Sequence, residues 1–161
     1  MIALKMTGEA AVAARLAGLP DRLNDHLATT LAQLGANLQG AVVDNLSGRV
    51  LARRSGRLAD AQTVTVDASS EGVSATVGFD PETIPYGAIQ EFGGTTRAHL
   101  IVAKEAKALA FSLGGRLLMA KRVNHPGSVI PAHSFLRSAL ASLAPEIAAA
   151  VGDAVAAETA Q

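Results

Sequence analysis

The chain has 161 residues, 49% of them apolar, which is enough for one domain with a buried core. Its net charge is zero, which excludes a protein that binds nucleic acid through overall charge. It has no cysteine, which excludes disulfides and thiolate metal sites. Aromatic residues are few: Phe79, Tyr86, Phe92, Phe111 and Phe135. The apolar set is mainly Ala, Val and Leu, and alanine buries little area. A large partner surface would add stability by mass action.

The N-terminus, Met1-Ile2-Ala3-Leu4-Lys5, lacks a basic segment followed by a long apolar run, so no signal peptide is expected. Residues Glu9 to Ala17 read as a short helix. The first strong element is a long helix over 20–48. Pro20 suits a helix start and Asp21 suits the first turn. Leu23, Leu27, Leu31, Leu34, Leu38 and Val42 then draw one apolar stripe, with spacings of three and four. Gly35 and Gly40 weaken this helix, and Gly48 reads as its C-cap.

A basic loop follows, with Arg49, Arg53, Arg54 and Arg57 and no acid between the first and the last. After it the apolar period falls from about 3.6 residues to about 2. Thr63 to Asp67 and Val73 to Phe79 alternate and read as an antiparallel hairpin, with Ser69-Ser70-Glu71-Gly72 as its turn. Asp80 to Pro85 reads as a loop. Tyr86 to Phe92 reads as one helical turn closed by Gly93-Gly94. Ala98 to Ala103 reads as a strand. Leu109 to Leu113 and Arg116 to Ala120 flank Gly114-Gly115, a good two-residue hairpin turn. Val123 to Ala132, with two prolines and a glycine, reads as a loop. From Ser134, a possible N-cap, the chain turns helical to about Glu158, with a kink or split expected at Pro145.

The implied fold class is α+β. A long N-terminal helix and a C-terminal helix pack on a mostly antiparallel sheet with a protruding hairpin. One domain is expected over 1–161. It comprises an N-terminal arm (1–19), the long helix (20–48), a sheet region (63–123) and the C-terminal helix (134–158). No uncharged apolar stretch reaches about 18 residues, and Glu146, Asp153 and Glu158 argue against membrane insertion of the Ala-rich C-terminus.

Catalytic and cofactor chemistry finds little support. There is no phosphate-binding loop, no Gly-x-Gly-x-x-Gly and no Gly-x-Ser-x-Gly elbow. His26, His99, His125 and His133 form no metal-ligand spacing on a helix. His26 reads as a polar-flank residue, and His125 and His133 as loop residues that contact backbone or a neighbouring subunit. No catalytic, cofactor-binding or metal-binding residue is assigned, and the chain is expected not to be an enzyme. Charge is uneven, however. From Arg97 to Arg137 there are seven bases and one acid, Glu105, whereas the segment beyond Arg137 has three acids and no base.

Three short motifs occur in order. Ser55-Gly56-Arg57-Leu58-Ala59-Asp60-Ala61 resembles a T/S-G-x-L-x-x-S signature. Tyr86-Gly87-Ala88-Ile89-Gln90-Glu91-Phe92-Gly93-Gly94 resembles Y-a-x-x-x-E-f-G. Ile130-Pro131-Ala132-His133-Ser134-Phe135-Leu136-Arg137-Ser138-Ala139-Leu140 resembles P-x-r-P-F-L-r-p-A. Their order and spacing resemble the tail-component family of long-tailed bacteriophages. That family includes tail-completion proteins and relates loosely to the virion-morphogenesis proteins of Mu-like phages. The sequence departs from the pattern at Ala61, Gly94 and His133-Ser134, and Thr95 to Asn124 is longer than in a minimal member.

The resemblance implies a structural subunit of the virion neck or tail, assembled in the host cytoplasm. It implies a ring of copies, typically a hexamer, that completes or terminates the tail tube and joins it to the head. The implied partners are the tail tube protein, a head-tail connector or stopper protein, and genomic DNA passing through the channel without sequence specificity. No membrane partner is implied. Interface or channel residues would come from Arg49, Arg53, Arg54 and Arg57 and from Arg97, Lys104, Lys107, Arg116, Lys121 and Arg122. The motif residues Gly56, Leu58, Tyr86, Glu91, Phe92, Gly93, Pro131, Phe135 and Leu136 read as structural. Among them, Tyr86 and Phe92 would anchor the short helix, and Phe135 with Leu136 would dock the last helix into the core. An alternative from the residues alone is a nucleic-acid-binding packaging accessory or regulatory protein that uses the Arg49–Arg57 loop.

Overall fold

A computed structural model of the chain describes residues 9–69, 72–104 and 106–160. The N-terminal pentapeptide, Ser70 and Glu71 of the first expected turn, and Glu105 lie outside the described residues. The elements are α1 (Glu9–Ala17), α2 (Leu19–Asp44), a π-type turn (Asn45–Arg49), α3 (Arg57–Asp60), β1 (Thr63–Ser69) and β2 (Gly72–Gly78). They continue with α4 (Gly87–Phe92), β3 (Gly94–Thr95), β4 (His99–Val102), β5 (Leu109–Leu113), β6 (Arg116–Ala120), β7 (Arg122–His125), β8 (Val129–Ile130) and α5 (Phe135–Thr159). The architecture is α+β, with two long helices and small antiparallel sheets. The chain divides into two compact units, Met1–Gly87 with Ser134–Gln161, and Ala88–His133.

In the first unit the stripe on α2 behaves as its spacing demands. Leu23, Leu27, Leu31 and Leu38 are half-buried, and Leu34 and Val42 are buried. Pro20 stands in the first turn. The helix ends differently from the expected plain cap. It widens into the π-type turn, where Gly48 takes φ +121°. Asn45, three residues after Val42 on the same stripe, faces inward, and its Nδ2 donates to the Phe135 carbonyl at 2.9 Å and to Ser138 Oγ at 3.1 Å.

Further side-chain contacts run α5 antiparallel to α2. Asn37 Nδ2 reaches Glu146 Oε1 at 3.5 Å, and His26 Nδ1 lies 3.2 Å from Glu158 Oε1. Arg22 Nε lies 3.5 Å from the other oxygen of Glu158. His26 is therefore part of a helix-to-helix contact. The expected split at Pro145 does not occur, and α5 runs unbroken through it. Pro145 and Ala141 are both exposed, so the carbonyl that loses its helical partner can reach water.

The β1–β2 hairpin pairs Thr63 with Gly78 through Ser69 with Gly72 and packs on α2. Gly35 makes room for it. A Cβ there would come within 2.6 Å of Val64 Cγ1. The core gathers Val42, Leu46, Leu58, Ala59, Ile84, Phe135 and Ala139, with Phe79 and Leu136 packed against it.

Ile84 is delivered to the core by a side-chain-closed turn. Asp80 Oδ1 accepts from the Glu82 N–H at 2.9 Å, and Oδ2 accepts from the Thr83 hydroxyl at 2.7 Å. The Thr83 hydroxyl first, and the Glu82 amide next, hold the Asp80 carboxyl below its ordinary value. A depressed carboxyl stabilises the turn above its unfolded pKa of about 3.9 and loses that contribution as pH falls through the lower folded value. An NMR titration is expected to place the Asp80 midpoint below about 3.9, and Asp80→Asn to remove the acid-side change in Ile84 amide exchange.

In the second unit the strands form a ribbon rather than part of one sheet. Among the described residues there are four two-stranded ladders, not the single sheet expected from the strand pattern. β3 pairs with β8, β4 with β7 and β5 with β6. The first two share one register, from Gly94↔Ile130 to Val102↔Arg122, and Ala103 N–H continues it by donating to the Lys121 carbonyl at 3.1 Å. Beyond this the partner of Ala120 is Leu109, so the outgoing strand carries extra chain over 104–108. Gly114 and Gly115 take φ of +58° and +79° at the tip, the signs a tight hairpin turn requires. The segment expected to be a loop, Val123 to Ala132, instead supplies return strands β7 and β8. Pro126, Gly127 and Pro131 punctuate those strands without preventing them.

Candidate functional site

The arginine loop is built around Gly56. Its φ of +80° lets it cap α3 in the left-handed region, and the Arg53 guanidinium lies over it. A Cβ at this position would stand 2.6 Å from Arg53 Nη2. That guanidinium also reaches Asp60 Oδ1 at 3.4 Å, an exposed pair of small energetic worth. Arg49, Arg53, Arg54 and Arg57 are all exposed. The loop therefore presents its charge to solvent while Leu58 and Ala59, immediately after it, are core residues.

The other basic residues singled out in the sequence lie on the ribbon. Arg97, Lys104, Lys107, Arg116, Lys121 and Arg122 are each exposed. They share the ribbon with exposed apolar side chains. Leu100 and Val102 are half-accessible, and Leu117, Met119 and Val129 are 74%, 70% and 82% exposed. A two-stranded ribbon with this much apolar exposure is marginal alone in water.

The motif residues divide between core and surface, not always as expected. Phe135 is fully buried and stacks at a tilt on Phe79, with ring centroids 6.3 Å apart. Leu136 is half-buried beside it, while Pro131 is exposed. The anchoring role expected of Tyr86 and Phe92 is corrected. Tyr86 lies at the exposed boundary and Phe92 is 64% exposed, whereas Glu91 between them is only 1% exposed. On so short a helix, burying position 91 turns the next residue outward.

The motifs meet in pairs, each pair within one compact unit. Leu58 and Ala59 of the first and Phe135 and Ala139 of the third share one core cluster. The second and third meet at Gly93, where φ is +71° and a Cβ would sit 2.8 Å from the Ala132 nitrogen. Beside it the His133 N–H donates to the Gln90 carbonyl at 2.7 Å, and Gly94 pairs with Ile130.

Sequence reasoning missed two features. His99 and His125 face each other across β4 and β7, with rings stacked 5.0 Å apart. Gly127 N–H donates to His125 Nδ1 at 3.1 Å, while His99 Nδ1 lies 3.0 Å from the Arg97 carbonyl. No spacing rule links residues 26 apart, so only the ribbon register pairs them. Asn45 was also missed, because an Asn at a helix end reads as a solvent-facing terminator. Among the described residues, no three His, Asp or Glu side chains converge as a metal site. Comparison of the chain with protein-family models, with curated proteins and with solved structures finds no match.

Proposed function

We propose that the protein is a structural, non-enzymatic subunit of a bacteriophage neck or head-proximal tail end. It works as a ring, sixfold by resemblance, that completes or terminates the tail tube and joins it to the head connector. The observation that carries the reading is the pairwise meeting of motifs from distant parts of the chain. The first and third build one core, and the second and third lock together at Gly93 and His133. Motifs that agree in order and also meet in space are better support than any of them alone.

The ring reading is tested with the full chain. Mass measurement and electron microscopy are expected to find closed rings, and added tail tubes are expected to be capped at one end. A chain that stays monomeric at all concentrations and ignores tubes and connectors overturns it.

A second reading, nucleic-acid binding, is favoured by one feature: four exposed arginines on one loop. Phosphate contacts make affinity fall steeply with salt. On that reading Arg53→Ala with Arg54→Ala abolishes salt-sensitive binding to duplex DNA in a filter assay. On the ring reading the same variant folds and forms rings, and duplex affinity is weak before and after the change.

A further inference from the structure

The two units carry opposite charge. Of the fourteen bases and fourteen acids, six bases and two acids fall in Ala88–His133, which leaves eight bases and twelve acids in the rest of the chain. The ribbon unit is thus +4 and the helical unit −4 at neutral pH. One of the two ribbon acids, Glu91, is buried, so the ribbon surface is more basic than this count.

The ribbon bases gather where its ladders join. Ala103 N–H donates to the Lys121 carbonyl, and the next strand pair is Leu109 with Ala120. The extra chain over 104–108 therefore stands beside Lys121 and Arg122. Lys104, Lys107, Lys121 and Arg122 are all exposed at this knot. Counted from the sequence, Glu105 lowers its charge from +4 to +3. The last two bases extend it along the ribbon in both directions. Arg97 stands six residues before Ala103, about 20 Å of strand, and Arg116 five residues before Lys121, about 17 Å. The ribbon is thus a narrow two-stranded element that is basic along its length.

We propose that this ribbon binds the phosphate backbone of duplex DNA without sequence preference, with Lys104, Lys107, Lys121 and Arg122 at the centre of the contact. A groove of the duplex admits a two-stranded ribbon, and its phosphate walls supply dense negative charge over the whole length of the basic stretch. An acidic protein surface fits less well, because the cores of protein interfaces are depleted of charge and of lysine above all. A lipid surface fits less well too, because it needs large apolar groups among the bases. Here the residues next to the knot are Ala103, Ala106, Ala108 and Ala120, which have little to insert. The open side chains of Leu117 and Met119 lie on the side of β6 away from Arg116. Single strands are bound by stacking on aromatic rings, and the one aromatic of the ribbon strands, Phe111, is half-buried. This inference moves the DNA contact from the arginine loop to the ribbon and requires no ring.

The test uses the full chain and a labelled mixed-sequence duplex of about three helical turns, read by fluorescence anisotropy over a salt series. The parent is expected to bind with a Kd of roughly 10⁻⁴–10⁻⁶ M at physiological salt, and more tightly as salt falls. Replacing Lys104, Lys107, Lys121 and Arg122 together by Ala is expected to weaken binding at low salt by roughly tenfold or more. The same change is expected to flatten the log–log salt slope by about 3 to 4, since each phosphate contact contributes about 0.9. Arg53→Ala with Arg54→Ala is expected to stay within about twofold of the parent, because the loop is not the contact. No duplex binding by the parent at low salt overturns the inference, as does a knot variant that binds like the parent. A loss confined to the loop variant gives the DNA to the arginine loop and also overturns it.

Two further measurements separate charge from folding and DNA from other anions. Lys104→Arg with Lys107→Arg and Lys121→Arg keeps the charge and is expected to bind as the parent does. Loss of binding in that variant means that lysine packing matters rather than charge, which overturns the inference. Tighter binding to phosphatidylserine-rich vesicles than to duplex, or to a single strand of the same sequence, overturns it as well. Rings formed by a chain that ignores duplex DNA would sink this inference alone, whereas a strict monomer that binds duplex would sink the ring reading alone.

Discussion

Phe135→Ala is expected to be the most destabilising single truncation in the helical unit, at about 3–5 kcal/mol. The side chain is fully buried, it packs on Phe79, and it sits where α5 meets the π-type turn and the core residues Val42, Leu46 and Leu58. Removing the ring forfeits its transfer energy and leaves a cavity. The site is poorly placed to collapse, because Asn45 clamps the Phe135 carbonyl at 2.9 Å and fixes the backbone beside the hole. Few other aromatics exist to fill it. Denaturant unfolding should report a lower midpoint at unchanged slope. Phe135→Leu, which keeps most of the volume, should cost only about 1–2 kcal/mol. Equal midpoints for the alanine variant and the parent chain would contradict this account of the core.

Gly127→Ala is expected to have the largest effect on the ribbon. Gly127 has φ +93°, and a Cβ there would collide with the backbone carbonyl of Thr96 and crowd the Ala98 nitrogen. No rotamer relieves a collision with backbone. The added methyl must force the two strands apart or drive the residue from its conformation, at about 1–3 kcal/mol for the strain alone. The contacts at stake join the outgoing and return strands. Thr96 N–H donates to the Ser128 carbonyl at 2.8 Å, and Ser128 N–H donates to Thr96 Oγ1 at 2.8 Å. Amide exchange at Thr96 and along His99–Val102 should quicken by roughly tenfold to a hundredfold, the factor that about 1.4–2.8 kcal/mol corresponds to. Exchange in the β1–β2 hairpin should stay as in the parent chain. Slow exchange retained at Thr96 would show that the ribbon yields to the methyl without opening.

How much of this was readable in the sequence depends on how local the cause is. The α2 stripe, the β1–β2 hairpin and the Gly114-Gly115 turn each follow from neighbours within a few residues, and each occurs where the pattern put it. The return strands β7 and β8 were missed because their partners lie up to 36 residues away, from Gly94 to Ile130. Pro126, Gly127 and Pro131 read locally as loop punctuation. Tyr86 and Phe92 were read as anchors because they are large and apolar. Size alone does not say which side of a one-turn helix faces inward.

The α+β class, the two long helices and the segregation of basic and acidic residues can be read from the order of residues alone. These depend on periodicity and composition, which act within one element. Which residues meet emerges from the folded structure. It showed that Gly35 makes room for Val64 on α2, that Asn45 turns inward to hold the start of α5, that Glu91 rather than Phe92 is buried, and that His99 stacks on His125. It also divided the charge between two compact units of opposite sign. Such contacts join positions remote in sequence. Their energy comes from close packing and ladder register, and neither is encoded at any one position.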